Sequence, residues 1–75
     1  MSGTEIVRKL ESMEARWFEI HHASEAIRAK LEANRAELSE EQYNAALTKL
    51  REQQELKQET MRQILSLEEQ LVDED

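Results

Sequence analysis

Apolar side chains recur in the first half of the chain at Ile6, Leu10, Met13, Trp17, Ile20, Ile27, Leu31 and Leu38. With Ser24 and Asn34 filling the gaps, the steps alternate four and three without interruption. This is a heptad seam, the mark of a long helix that buries one stripe against another helix. The second half carries a weaker row, Tyr43, Leu47, Leu50, Gln54, Lys57, Met61, Ile64, Glu68 and Leu71. Three of its nine positions are polar.

The two rows are out of phase. Continuing the first register would ask for apolar residues at 41, 45 and 48, where Glu41, Ala45 and Thr48 stand, and the step from Leu38 to Tyr43 is five residues. The break coincides with Ser39-Glu40-Glu41-Gln42, which reads as a capping box, with Leu38 and Tyr43 placed as its hydrophobic staple. Glu40 and Glu41 fall in the first turn of the new helix, where the macrodipole favours anions. Ser2 and Glu5, with Met1 and Ile6, repeat the device at the start of the chain.

The pattern predicts an all-α fold: an antiparallel, coiled-coil-like hairpin spanning 1–75 as one unit. Its helices cover roughly 3–38 and 40–72, each on the order of 50 Å long, with a turn at 39 and an acidic tail at 73–75. A tight connection at Ser39 brings together positions whose numbers total about 78. Leu31 then meets Leu47, Ile27 meets Leu50, Trp17 meets Met61, Met13 meets Ile64, and Ile6 meets Leu71 or Val72. Ser24 meets Gln54, and one hydrogen-bonded layer would account for the polar middle of both seams. These pairs, with Leu10 and Ile20, form the expected hairpin core. The competing architecture, one helix on the order of 110 Å in a parallel dimer, conflicts with the phase break.

Composition agrees with long helices. Charged residues are 36% and apolar residues 39% of the chain, against averages of about 25% and 45–50%. There is no proline, and Gly3 is the one glycine, so the usual punctuation of tight turns and strand hairpins is missing from the rest. Two helices share a narrow core, and units below ~70–80 residues rarely draw more than ~3–5 kcal/mol from one. A second stripe on the first helix, Ala15, Phe18, His22, Ala26, Ala29, Ala33 and Ala36, would let another helix approach, with Phe18 as its large anchor. Leu56, Leu65, Leu67 and Val72 lie beside or off the second seam, and Val7 would join the last three. The residues expected to meet a partner or a second copy are therefore Val7, Ala15, Phe18, His22, Ala26, Ala29, Leu65, Leu67 and Val72, with Met61 of the core row expected among the contacts as well. A bundle completed by homo-oligomerisation, most simply a dimer, or by capture of a partner helix would cover them.

Charge narrows the function further. The net charge is −7; residues 1–38 contribute −1 and residues 39–75 contribute −6. Asp73, Glu74 and Asp75 end the chain in a run that repels nucleic acid and anionic lipid. An alternative reading, a hairpin dimer gripping nucleic acid, would have to use Arg8, Lys9, Arg16, Arg28, Lys30 and Arg35. Glu11, Glu14, Glu19, Glu25 and Glu32 are interleaved among them and weaken it. A second alternative, an acidic decoy of a nucleic-acid site, would draw on Glu52, Glu55, Glu59, Glu68, Glu69 and the tail. With no cysteine and no apolar run longer than three residues, the expectation is a soluble cytoplasmic protein with no membrane span.

Candidate chemistry is sparse. Glu19 and His22 have the Glu-x-x-His spacing used in carboxylate-bridged di-metal bundles. The second helix has no histidine to complete such a site, so no metal and no cofactor is expected. His21 lies beside the seam, next to the Ser24 and Gln54 layer, where it could make a proton-dependent contact. Ser24, His21 and Glu25 fall within one turn, but two helices supply neither an oxyanion site nor a dry cleft for a nucleophile. The sequence points to a non-enzymatic interaction module (adaptor, assembly factor, co-chaperone or inhibitor) with no small-molecule substrate.

Overall fold

The computed structural model describes residues 2–73. Two helices, α1 (Gly3–Asn34) and α2 (Glu40–Asp73), pack against each other as an antiparallel all-α hairpin 55 Å long and 14 by 12 Å across. That length is half of what one continuous helix would need, which disposes of the single-helix architecture. The Met1 half of the N-terminal staple, and Glu74 and Asp75 of the acidic tail, lie outside the described residues.

Both helix starts follow the chemistry read from the sequence. Ser2 caps α1, its hydroxyl accepting from the Glu5 N–H at 3.3 Å. Ser39 and Gln42 form a reciprocal box: the Gln42 N–H donates to Ser39 Oγ at 3.1 Å, and the Ser39 N–H donates to Gln42 Oε1 at 3.0 Å. The end of α1 departs from expectation. It stops at Asn34, not near Leu38, because the Glu37 and Leu38 N–H groups both converge on the Asn34 carbonyl, at 2.9 and 3.1 Å, and tighten the chain. Asn34 Nδ2 meanwhile donates to the Lys30 carbonyl at 3.1 Å. The reversal over residues 35–39 uses no glycine and no positive φ.

The core is small. Ile6, Leu10 and Ile64 are buried together, with Met13, Trp17, Leu67 and Leu71 packed around them. Nearer the turn, Leu31 is buried, and Ile20, Ile27, Leu47 and Leu50 are half-buried. Cross-helix pairs obey the expected register, since Lys57 meets His21 and Arg35 lies over Tyr43, both totalling 78.

Two core assignments are corrected. Met61 is exposed, at 37%, and Thr60 is buried in its place. Leu67, expected on the outer surface, packs onto the core cluster. The inward heptad column 43, 50, 57, 64 and 71 stands; its companion shifts one residue earlier at 60 and 67, while at 46 and 47, and at 53 and 54, both neighbours are half-buried. Toward the chain ends, Thr60 takes the buried place, its hydroxyl satisfied within its own helix, while Met61 stands with Trp17 at the edge of a surface groove.

The Ser24 and Gln54 layer is also corrected. Ser24 is fully buried, but its hydroxyl donates to the Ile20 carbonyl of its own helix at 2.9 Å. Thr60 does the same to the Leu56 carbonyl at 2.8 Å. Each hydroxyl is satisfied within its own helix, so neither needs a partner across the seam.

Candidate interaction surface

The inward positions Leu10, Trp17, Ser24 and Leu31 of α1, and Lys57, Ile64 and Leu71 of α2, fix which outer residues share a side. A residue one after, or three before, such a position lies on one flank of its helix. Val7, Phe18, Leu47, Met61, Leu65 and Val72 all occupy these places. In an antiparallel pair the two flanks adjoin, so the six belong to one side of the hairpin.

Surface grooves bear this out for Phe18, Leu47, Met61, Leu65 and Val72. One groove is lined by Glu14, Trp17 and Phe18 of α1 with Met61, Ile64 and Glu68 of α2. A second, lined by Leu65, Glu68, Glu69, Val72 and Asp73, shares Glu68 with the first. A third, toward the turn, holds Arg28, Leu47, Leu50, Arg51 and Gln54. Of the six large apolar side chains exposed among the described residues, Val7, Phe18, Met61, Leu65 and Val72 lie on this side, and only Leu56 does not. The opposite groove is edged by Lys9, Ser12, Gln63, Ser66 and Gln70 over a floor of Met13 and Leu67.

Phe18 is held firmly for a residue left 55% exposed. Its ring meets Trp17 edge-on at 5.3 Å and lies 6.4 Å from His22. Trp17 stacks on His21 at 5.1 Å with the planes 7° apart, and Lys57 closes the cluster from α2, its Nζ 5.3 Å from the indole centroid and 3.0 Å from His21 Nδ1.

The structure brings together Val7, Phe18, Leu65 and Val72 of the expected contact residues with Met61, whose seam position also assigns it to the core but which is exposed. Leu67 is removed from the set by its packing. Ala15, His22, Ala26 and Ala29 are exposed on the outer face of α1, away from α2. Glu19 and His22 are exposed as well, and no cluster of three metal-ligating side chains occurs among the described residues. The basic residues of α1 are divided between faces, Lys9, Arg16 and Lys30 each standing one residue before an inward position. Arg28 pairs with Glu25 at 3.5 Å, Arg35 covers Tyr43, and Lys9 and Lys30 border grooves other than the apolar one. No described helix is long and apolar enough to cross a membrane. Comparison with protein-family models, with curated proteins and with solved structures finds no match to this chain.

Proposed function

We propose that the chain is a small non-enzymatic protein–protein interaction module, working in the cytoplasm as an adaptor, assembly factor, co-chaperone or inhibitor. It acts by burial and not by reaction. The observation that carries this reading is the one-sided placement of Val7, Phe18, Met61, Leu65 and Val72 on a hairpin whose own core is thin. Contiguous apolar surface with a charged rim, here Glu14, Glu68 and Arg51, is the common signature of a contact site. The missing cysteines suit a reducing compartment.

The test compares the tagged full chain with a Phe18→Glu, Leu65→Glu variant of equal helicity. The wild type should self-associate or co-purify defined proteins that the variant loses. An unchanged oligomeric state together with an unchanged set of co-purifying proteins would sink the reading.

A further inference from the structure

We infer that the occupant of the apolar side is a second copy of this chain, packed antiparallel about a two-fold axis at mid-length to form a four-helix bundle. The inference rests on the interaction-module reading and names its partner. Three features of the hairpin point to it.

The first is area. The chain exposes 5811 Å², whereas a monomeric globular protein of 8.8 kDa is expected to expose about 4,800 Å². The excess, on the order of 1,000 Å², is close to the ~800 Å² per partner that a standard interface buries.

The second is position. α1 runs from residue 3 to residue 34, so Phe18 stands at its midpoint, and Met61 lies across the same groove. A two-fold axis through that point sets each Phe18 against the Phe18 and Met61 of the other copy. An isologous contact of this kind places its largest anchor at the centre, where a hot spot is best shielded from water.

The third is charge. From the centre toward the turn, this side carries Arg28 and Arg51 around Leu47; Glu25, which pairs with Arg28 at 3.5 Å, and Glu32 stand on the same flank, so among the described residues Arg51 is the cation left free to meet an acidic residue of the other copy. Toward the chain ends it carries Glu68, Glu69 and Asp73 around Leu65 and Val72. Arg51 and Glu68 lie at nearly equal distances on either side of the midpoint. The two-fold that joins the Phe18 rings therefore brings Arg51 of each copy to Glu68 of the other, and Leu47 to the Val72 end. A parallel arrangement would superpose like charges at both ends. For an acidic chain of net −7, a geometry that sets opposite charges against each other lowers the cost of self-association.

The experiment is sedimentation equilibrium of the full chain across micromolar concentrations, with a distance measurement between spin labels at Ala33→Cys. The chain has no other cysteine. The expected results are a dimer and a label separation on the order of 45 Å or more, since the two turns lie at opposite ends of the bundle. Arg51→Glu and Glu68→Arg should each weaken the dimer, and the two together should restore it; Phe18→Glu should weaken it by about thirtyfold or more. Circular dichroism confirms that each variant keeps its helices. A label separation of about one bundle width, on the order of 25 Å, overturns the arrangement, as does failure of the double reversal to rescue. A helical monomer at every concentration overturns the second copy as occupant. The co-purification comparison then decides separately whether the interaction reading survives.

Discussion

Lys57 reaches from α2 to α1 and donates to His21 Nδ1 at 3.0 Å, with its ammonium 5.3 Å from the centre of the Trp17 ring on which His21 is stacked. A charged residue at a seam position is usually a defect, since that column of the heptad should be apolar. Here the aliphatic stem of the lysine can lie in the seam while its head group finds the His21 ring nitrogen and an aromatic face. The polar middle of the hairpin is thus held by this cluster and not by a serine–glutamine bond.

The cluster should show up as coupling. In a double-mutant cycle, Lys57→Met and His21→Leu should together cost less than the sum of their separate effects, by about 1 kcal/mol. Urea unfolding followed by far-UV circular dichroism measures it. Simple additivity would mean that the contact contributes nothing to the hairpin.

The corrected seam makes an ordering testable. Ile64 is 5% exposed in the core cluster, so Ile64→Ala should cost about 2–5 kcal/mol, as much as a unit of this size has. Leu67→Ala should cost more than Met61→Ala, measured below the concentration at which the chain self-associates. Met61→Ala should remain under about 1 kcal/mol because its side chain already meets water. The reverse order would return Met61 to the core.

The hairpin was legible because three signals agree at one place: the heptad rows change phase, a capping box begins, and acidic residues fill the next turn. The inward column through Leu50, Ile64 and Leu71 was legible for the same reason, being apolar at a period of seven. Its companion was not. Leu67 against Glu68 favours one choice and Met61 against Thr60 favours the other, so hydrophobicity alone is divided. The choice between them is made when the two helices pack together, and the pattern along one helix does not carry that information. Met61, expected both in the core row and among the contacts, keeps only the second place, where it completes the groove beside Phe18. Phe18 itself was identifiable, as a large side chain one residue past the seam.

Ser24 tests how the buried hydroxyls are tolerated. It is 0% exposed and bonded only to the Ile20 carbonyl of its own helix, which as a helical carbonyl has a backbone donor as well. Ser24→Ala should therefore be neutral or stabilising by about 0.5 kcal/mol, alanine being the better helix former. Ser24→Leu should destabilise by about 1–3 kcal/mol through overpacking. Thermal unfolding of the pair separates a small inward position from one that merely tolerates any apolar residue.

The turn is the weak point of the topology. Residues 35–38, Arg-Ala-Glu-Leu, are good helix formers and no positive φ enforces the reversal, so the chain bends where the Ser39–Gln42 box starts α2 and where Arg35 lies 5.5 Å over the Tyr43 ring. Removing the box by Ser39→Ala should cost about 1 kcal/mol. Ser39→Ala with Gln42→Ala should go further and let α1 run on into α2, since a continuous helix then satisfies the freed backbone groups. Two such chains can recover the same core only by exchanging helices, the low-cost route to a swapped dimer. Spin labels at both ends of a single chain, diluted with unlabelled protein, would read the change directly. In the wild type the ends of α1 and α2 lie together at one end of the hairpin; in the double variant their separation should rise toward about 100 Å, at 1.5 Å per residue. An unchanged short distance would show that packing between the helices, and not the cap, closes the turn.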